Sequence, residues 1–286
     1  MISDITLGQF FPGFSPIHKL DPRTKIILAS IFIVAVFVAN NPVGFALMAM
    51  FTLVLIGLSR ISFKVILKGI KPIVFILLFT AVINVFMTKG EGEPLLSFWI
   101  IEIYEEGIAR AIMMALRVII LIVGTSVLLT YTTSPISLTD GLESLLSPLK
   151  KIKVPVHTFA MMMSIALRFI PTLIEETEKI MNAQKSRGAD FTSGSLVQRA
   201  KSLIPLLVPL FVSSFKRAEE LATAMECRCY RGDNNRTKLV KLEYRPRDFL
   251  FMMVLILLLA ALICLSVIPY NYQSFGLVYD LLFYKV

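Results

Sequence analysis

Apolar residues in this chain come in long uninterrupted runs, and the polar residues gather between them. A helix needs about 20 apolar residues to cross a bilayer, with a tolerated range of roughly 17–25. Five runs approach that length: residues 26–39, 43–58, 70–87, 108–131 and 249–267. The turn signal Asn40-Asn41-Pro42 separates the first two. They can be read as one bent span or as a hairpin, and charge favours the hairpin. Lys19, Arg23 and Lys25 precede the first run, and Arg60, Lys64, Lys68 and Lys71 follow the second. A hairpin keeps both basic clusters on one side, as the positive-inside rule prefers. Asp21 is placed to cap the first helix and Pro22 suits its first position.

A different pattern fills residues 132–247. Three helices are expected, over 137–149, 156–187 and 196–230. In the second, Phe159, Met163, Ala166, Ile170, Leu173 and Ile180 mark one face. His157, Ser164, Arg168, Thr172, Glu175, Lys179 and Asn182 mark another. Each set steps by three, four or seven, which is the amphipathic helical period. Gly188 is a natural stop for the second helix, and Pro205 and Pro209 are expected to bend or break the third. Helices of some 30 residues would span about 45 Å at 1.5 Å per residue, longer than a connector needs. They suit an arm lying under a membrane. Residues 156–174 and 203–212 also resemble short spans. Counting them as such would export Lys179, Lys185, Arg187, Arg199 and Lys201, against the charge rule, so they are read as cytoplasmic or interfacial.

The fold class expected is therefore an all-α integral membrane protein. It has about five transmembrane helices and a cytoplasmic domain of about three amphipathic ones. Residues 1–131 form the N-terminal membrane part, 132–247 the cytoplasmic domain, and 248–286 the last span with an external tail. Composition supports a lipid environment. Of 286 residues, 56% are hydrophobic and the mean hydropathy is +0.75, whereas soluble domains run nearer about 45–50% apolar. The net charge of +9 flanks apolar runs, which a bilayer explains better than nucleic acid. The loop 89–107 carries Glu91, Glu93, Glu102, Glu105 and Glu106 and is placed outside; the N-terminus falls in the cytoplasm. Residues 1–11 lack the basic start and apolar core of a signal peptide. Cys227, Cys229 and Cys264 make no disulfide framework and suit a reducing compartment.

Candidate chemistry is sparse. No Gly-x4-Gly-Lys-Ser/Thr phosphate loop, His-Glu-x2-His, Gly-x-Ser-x-Gly or paired-Asp motif occurs, so neither an enzyme nor a cofactor is expected. His18 and His157 are too few for a metal site, and the Cys pair has no second pair beside it. Arg110 and Arg117 share a face of the fourth span, and an intramembrane charge points to function by default. Met161, Met162 and Met163 suit core packing or an adaptable recognition surface. Arg187 and Arg228 each lie near a helix end. There an Arg satisfies the negative end of the helix dipole. Alternatively, it offers a permanently charged fork that pairs with a partner's carboxylate in fixed orientation.

Several segments, taken in order, resemble the transmembrane T component of energy-coupling factor transporters, the bacterial and archaeal importers of vitamins and metals. The resemblance runs over about residues 1–270. Its marks are Ser15-Pro16-Ile17-His18-Lys19-Leu20-Asp21-Pro22-Arg23-Thr24-Lys25 before the first span and Thr132-Thr133-Ser134-Pro135 followed by Gly141-Leu142-Glu143. Ala166-Leu167-Arg168-Phe169-Ile170-Pro171, Ala183-Gln184-Lys185-Ser186-Arg187-Gly188 and Ala224-Met225-Glu226-Cys227-Arg228-Cys229-Tyr230 complete the set. The family carries two motifs with a central Arg, commonly Ala-Arg-Gly, at the tips of its coupling helices. Here they correspond to Ser186-Arg187-Gly188 and Cys227-Arg228-Cys229, both departing from the common flanks.

The resemblance implies that these tips dock in grooves of two ATP-binding cassette ATPase subunits. It also implies that a separate membrane S component captures the substrate, with Met161–Met163 and Pro171 as contacts for it. The chain itself would be a non-catalytic scaffold in the cell membrane, coupling ATP hydrolysis elsewhere to uptake. A self-sufficient carrier or channel is the rival, supported by Arg117 and the acidic loop; an intramembrane enzyme ranks last.

Overall fold

The computed structural model describes residues 10–87, 96–98, 101–189, 191, 195–230, 232 and 242–267. Residues 89–95, 99 and 100 of the acidic loop, with Glu91 and Glu93, and the tail beyond Val267 lie outside them. Nine α-helices are described: α1 (Pro22–Val38), α2 (Pro42–Ser59), α3 (Phe63–Ile70), α4 (Val74–Met87), α5 (Glu105–Thr125), α6 (Pro135–Leu145), α7 (Val156–Ser186), α8 (Leu196–Cys227) and α9 (Pro246–Val267). The protein is an all-α membrane protein. The only strands among the described residues are a short antiparallel pair, Leu96–Phe98 with Ile101–Ile103.

The chain divides into two compact units, residues 9–134 with 242–286 and residues 1–8 with 135–241. The first holds the hydrophobic core. α5 packs against α1, α2, α3 and α4, and α1 packs in addition against α9. Phe32, Met48, Leu55, Val127, Leu255 and Leu262 are fully buried there. Gly124 lets α5 approach α1 closely: a Cβ at that position would sit 2.2 Å from the Phe32 ring. α4 buries only Leu77 and leaves Phe75, Leu78 and Phe79 exposed, as expected of a helix whose outer face meets lipid.

Asp21 caps α1 as expected, accepting from the Arg23 amide at 2.8 Å, with Pro22 as the first helical residue. The third span is longer than the apolar run that announced it. α3 and α4 are joined by a 3₁₀ turn at Lys71–Ile73, which contains Pro72. The fourth span ends in a π-helical turn, Ser126–Thr130, closed by the Tyr131 amide on the Ser126 carbonyl at 2.8 Å.

By length and composition, five helical stretches among the described residues can cross a membrane: Pro42–Ser59, Phe63–Met87, Gly107–Thr130, Val156–Ser186 and Pro246–Ser266. These are not quite the five runs chosen from the sequence. α1 has 17 residues, the lower limit of the tolerated range. α7, which the sequence places outside the bilayer, has the necessary length and apolar content. Its apolar character is confined to the first half, since Glu175, Glu176, Glu178 and Lys179 follow.

In the second unit α6 packs on α7, and α7 on α8. A 3₁₀ turn, Ser147–Ile152, follows α6, and the His157 ring contacts Glu143 at 2.9 Å, tying α7 to α6. α8 opens with a capping box: the Ser195 hydroxyl accepts from the Gln198 amide, and the Gln198 side chain accepts from the Ser195 amide. α8 then runs unbroken through Pro205 and Pro209, so of the expected bend or break, the break does not occur. Pro209 has no N–H to offer the Pro205 carbonyl four residues back. The Gln184 side chain of α7 donates to that carbonyl at 3.5 Å.

Candidate functional site

The two Arg-centred motifs end α7 and α8 with the same backbone geometry. At the end of α7, Arg187 is the C-cap residue and Gly188 takes the left-handed conformation, φ 87°. The Gly188 amide donates to the Lys185 carbonyl at 2.9 Å and the Ala189 amide to the Gln184 carbonyl at 3.0 Å. At the end of α8, Arg228 is the C-cap and Cys229 is left-handed, φ 55°. The Cys229 amide donates to Glu226 at 2.9 Å and the Tyr230 amide to Met225 at 3.0 Å. Both are Schellman caps, in which paired bonds satisfy the last carbonyls of the helix. The first places a glycine where φ must be positive. The second places a cysteine there, at a cost of about 1–2 kcal/mol.

Each cap leaves its Arg exposed. Neither the Arg187 nor the Arg228 guanidinium has a side-chain partner among the described residues. Ser186, Gly188, Cys227 and Cys229 are exposed as well, and Cys227 and Cys229 are free thiols.

A three-residue clamp fixes α7 to α8. Glu176 accepts from the Ser213 hydroxyl and from Arg217 Nη2, the latter at 2.8 Å. The Ser213 hydroxyl first, and the Arg217 charge after it, hold the Glu176 carboxyl below its ordinary range despite partial burial. The pairing of Glu176 with Ser213, and of Gln184 with Pro205, makes the helices antiparallel where they meet. Arg187 lies eleven residues beyond Glu176 on α7, and Arg228 eleven residues beyond Arg217 on α8. At 1.5 Å per residue each tip stands about 16 Å from the clamp, in opposite directions. The structure therefore does not bring the two motifs together; it holds them apart on one braced pair.

The remaining candidates lie elsewhere on α7. Met162 and Met163 are exposed, Met161 is half-buried, and Pro171 is exposed mid-helix. Phe159 and Met163 line an apolar groove of about 460 Å³ with Leu138, Leu142 and Leu146 of α6 and the segment after it. The sequence reading passed over a larger surface: on α8, Leu203, Ile204, Leu207, Val208, Phe211, Val212 and Phe215 are all exposed. Its sequence signal is the apolar run 203–212. The clamp left no sequence signal, because its residues lie 37 and 41 positions apart.

Arg117 is explained by packing. Its Nη2 donates to the Ala39 carbonyl at 2.9 Å and to the Asn40 side chain at 3.1 Å, closing the end of α1. Its guanidinium also stacks over the Phe45 ring. Arg110 is exposed. No group of three or more His, Cys, Asp or Glu among the described residues is arranged to hold a metal ion.

Comparison with known proteins decides the family. Residues 13–239 match the model of the CbiQ family, described as cobalt transport protein. The energy-coupling factor transporter transmembrane protein EcfT of Clostridium kluyveri is 54% identical over 268 residues, covering 94% of this chain and 97% of that protein. The EcfT of Ruminiclostridium cellulolyticum is 56% identical over 250 residues, 87% of this chain and 92% of the relative. That of Bacillus subtilis is 50% identical over 262 residues, 92% and 98%. This chain belongs to the EcfT/CbiQ family of energy-coupling factor transporter transmembrane proteins. An EcfT/CbiQ protein is a membrane component of a transporter, and the several long apolar helices make this one a multi-pass bacterial membrane protein.

Proposed function

We propose that this chain is the non-catalytic energy-coupling subunit of an ATP-driven importer. It carries motion from two ATP-binding cassette ATPase subunits to a substrate-binding S component that takes up a vitamin or a metal ion. The observation that carries this reading is the matched pair of Schellman caps at Arg187 and Arg228. Both guanidiniums are exposed with no side-chain partner among the described residues, on two helices braced by Glu176, Ser213 and Arg217. A guanidinium keeps its charge and binds a carboxylate through two parallel hydrogen bonds. A tip so bonded can push or pull without rotating, and two tips directed oppositely suit two subunits.

In this reading residues 132–247 are a cytoplasmic coupling domain, and the N-terminus lies on the same side. The basic residues around α1, α2 and α3 support that orientation. Met161–Met163, Pro171 and the apolar face of α8 are surfaces for the S component. Substrate choice belongs to that partner, and ATP hydrolysis to the ATPases. The carrier or channel alternative loses one of its two supports, since Arg117 is engaged in closing α1.

Co-purification tests the proposal. The double variant Arg187→Glu, Arg228→Glu should fold and insert normally, lose at least tenfold in retained ATPase subunits, and abolish uptake. Normal retention with normal uptake would remove the mechanism. Uptake by this chain alone in liposomes would favour the carrier.

A further inference from the structure

The chain leaves the membrane unit after Ser134, and the described residues of that unit resume at Leu242 after a second passage. The roots of both passages, on the membrane-unit side, are tied to one place, the start of α1, by buried charged side chains.

Lys25 is at its centre, 1% exposed. An ammonium has three N–H donors, and all three are used: on the Thr132 carbonyl at 2.8 Å, the Thr133 hydroxyl at 3.1 Å and the His18 carbonyl at 3.4 Å. The first passage thus leaves the membrane unit from a backbone held by a buried cation. Asp248, also 1% exposed, holds the second. Its Oδ2 accepts from the Arg245 amide at 2.7 Å, and its Oδ1 from the Asp21 amide at 2.9 Å. One carboxylate therefore joins the N-terminal ends of α9 and α1. Asp21, four residues from Lys25, caps α1.

Two further contacts repeat the pattern. Arg23 stacks over Tyr244, two residues after Leu242, at 5.3 Å from the ring centroid. The Phe11 amide bonds the Tyr131 carbonyl at 3.0 Å. His18 braces that turn. Because the Phe11 carbonyl only accepts, Nε2 carries the proton at 2.9 Å, and Nδ1 accepts from the Ser15 hydroxyl at 2.7 Å.

A hydrophobic core could hold these helices without burying a cation, and apolar replacements of buried ion pairs are often neutral or stabilising. A fully satisfied buried network is worth most where it specifies one geometry. We infer that Lys25 and Asp248 are positioning residues for energy coupling: they bind both roots of the residue 135–241 unit into one anchor. Motion received at that unit's tips is then resisted at its base and works on a partner, rather than being lost in slack at the roots. This inference rests on the coupling reading above.

Its test has two arms. In the full chain in lipid nanodiscs, Lys25→Met removes the charge at similar volume. Amide exchange should rise at least tenfold at residues 131–134 and also at residues 242–248, which Lys25 does not touch, with α2 and α4 unchanged. In the transporter assembled with its ATPases and S component, the same variant should keep ATP hydrolysis within about twofold and lower uptake per ATP hydrolysed at least tenfold. Lys25→Arg should restore much of it. Should Lys25→Met fail to fold, Thr133→Val deletes one of the three bonds and should move both readouts in the same direction, about threefold. Exchange rising at residues 131–134 alone, or unchanged uptake per ATP, would overturn the inference. The exchange arm needs no partner, so its outcome stands apart from that of the Arg187 and Arg228 variants.

Discussion

The two units solve the problem of hydrophobic surface differently. In the membrane unit, α1 is covered by α5 and α9, which enclose its Leu28, Phe32 and Val36. The exposed apolar residues of α2, α4 and α9 need only lipid. In the other unit, buried residues among those described are few: Thr139, Gly141, Glu143, Val156, Ala160 and Leu206. α7 and α8 are 31 and 32 residues long, yet they touch through a polar clamp and leave their apolar faces open. Most helical stability in proteins comes from packing an amphipathic face. Long helices that lack this packing among the described residues leave apolar faces for lipid or another molecule to cover. In the function proposed above, the difference separates a body that is complete once it is in lipid from an arm that is complete only in an assembly.

The largest test of that contrast compares two phenylalanines. Phe32→Ala should cost about 3–5 kcal/mol, the usual range for emptying a packed aromatic site. Phe211 is 65% exposed, and Phe211→Ala should stay within about 0.5 kcal/mol while weakening retention of the S component. Thermal unfolding in detergent, with co-purification alongside, reads both. Equal destabilisation would mean that the α8 face is already packed within the chain.

The next effect distinguishes the two caps. Gly188→Ala forces a Cβ into a left-handed position with open space around it, so only backbone strain is added. It should destabilise α7 by about 1 kcal/mol. Cys229→Gly relieves the same strain and should stabilise α8 by a similar amount. Amide exchange across the last turn of each helix would show the opposite signs. The same sign in both would sink the claim that the tips share one geometry.

The smallest effect concerns the clamp. Glu176 has a folded-state pKa lowered by Ser213 and then Arg217. Its contribution is fully present above the ordinary carboxylate range and is lost as pH falls through the lowered folded value. Acidification should loosen α7 from α8, seen as faster exchange around Ser213, before the core around Phe32 responds. Glu176→Gln should flatten that dependence.

Much of this was legible in the sequence because it is local chemistry. Four of the five apolar runs mark helices long and apolar enough to cross a membrane, Asp21 and Pro22 mark the start of α1, and Gly188 the end of α7, since each signal acts within a turn or two of helix. The α8 face was half-legible: its hydropathy was visible, but not the side from which it would be left uncovered. That α8 stays unbroken at Pro205 and Pro209 is not legible locally, because a proline's missing hydrogen bond can be offset by a side chain from another helix, and Gln184 is 21 residues from the carbonyl it reaches.

Composition and periodicity by themselves determined that this is a helical membrane protein with a polar, two-faced arm, because hydrophobicity and helix-end chemistry depend only on near neighbours. Only the tertiary structure decided that Lys25, one of several basic residues before the first span, is sealed beneath Thr132 and Thr133, and that Asp248 reaches Asp21 across 227 positions. The free energy of a buried charge depends on which distant oxygens and amides surround it, and no window of sequence contains them.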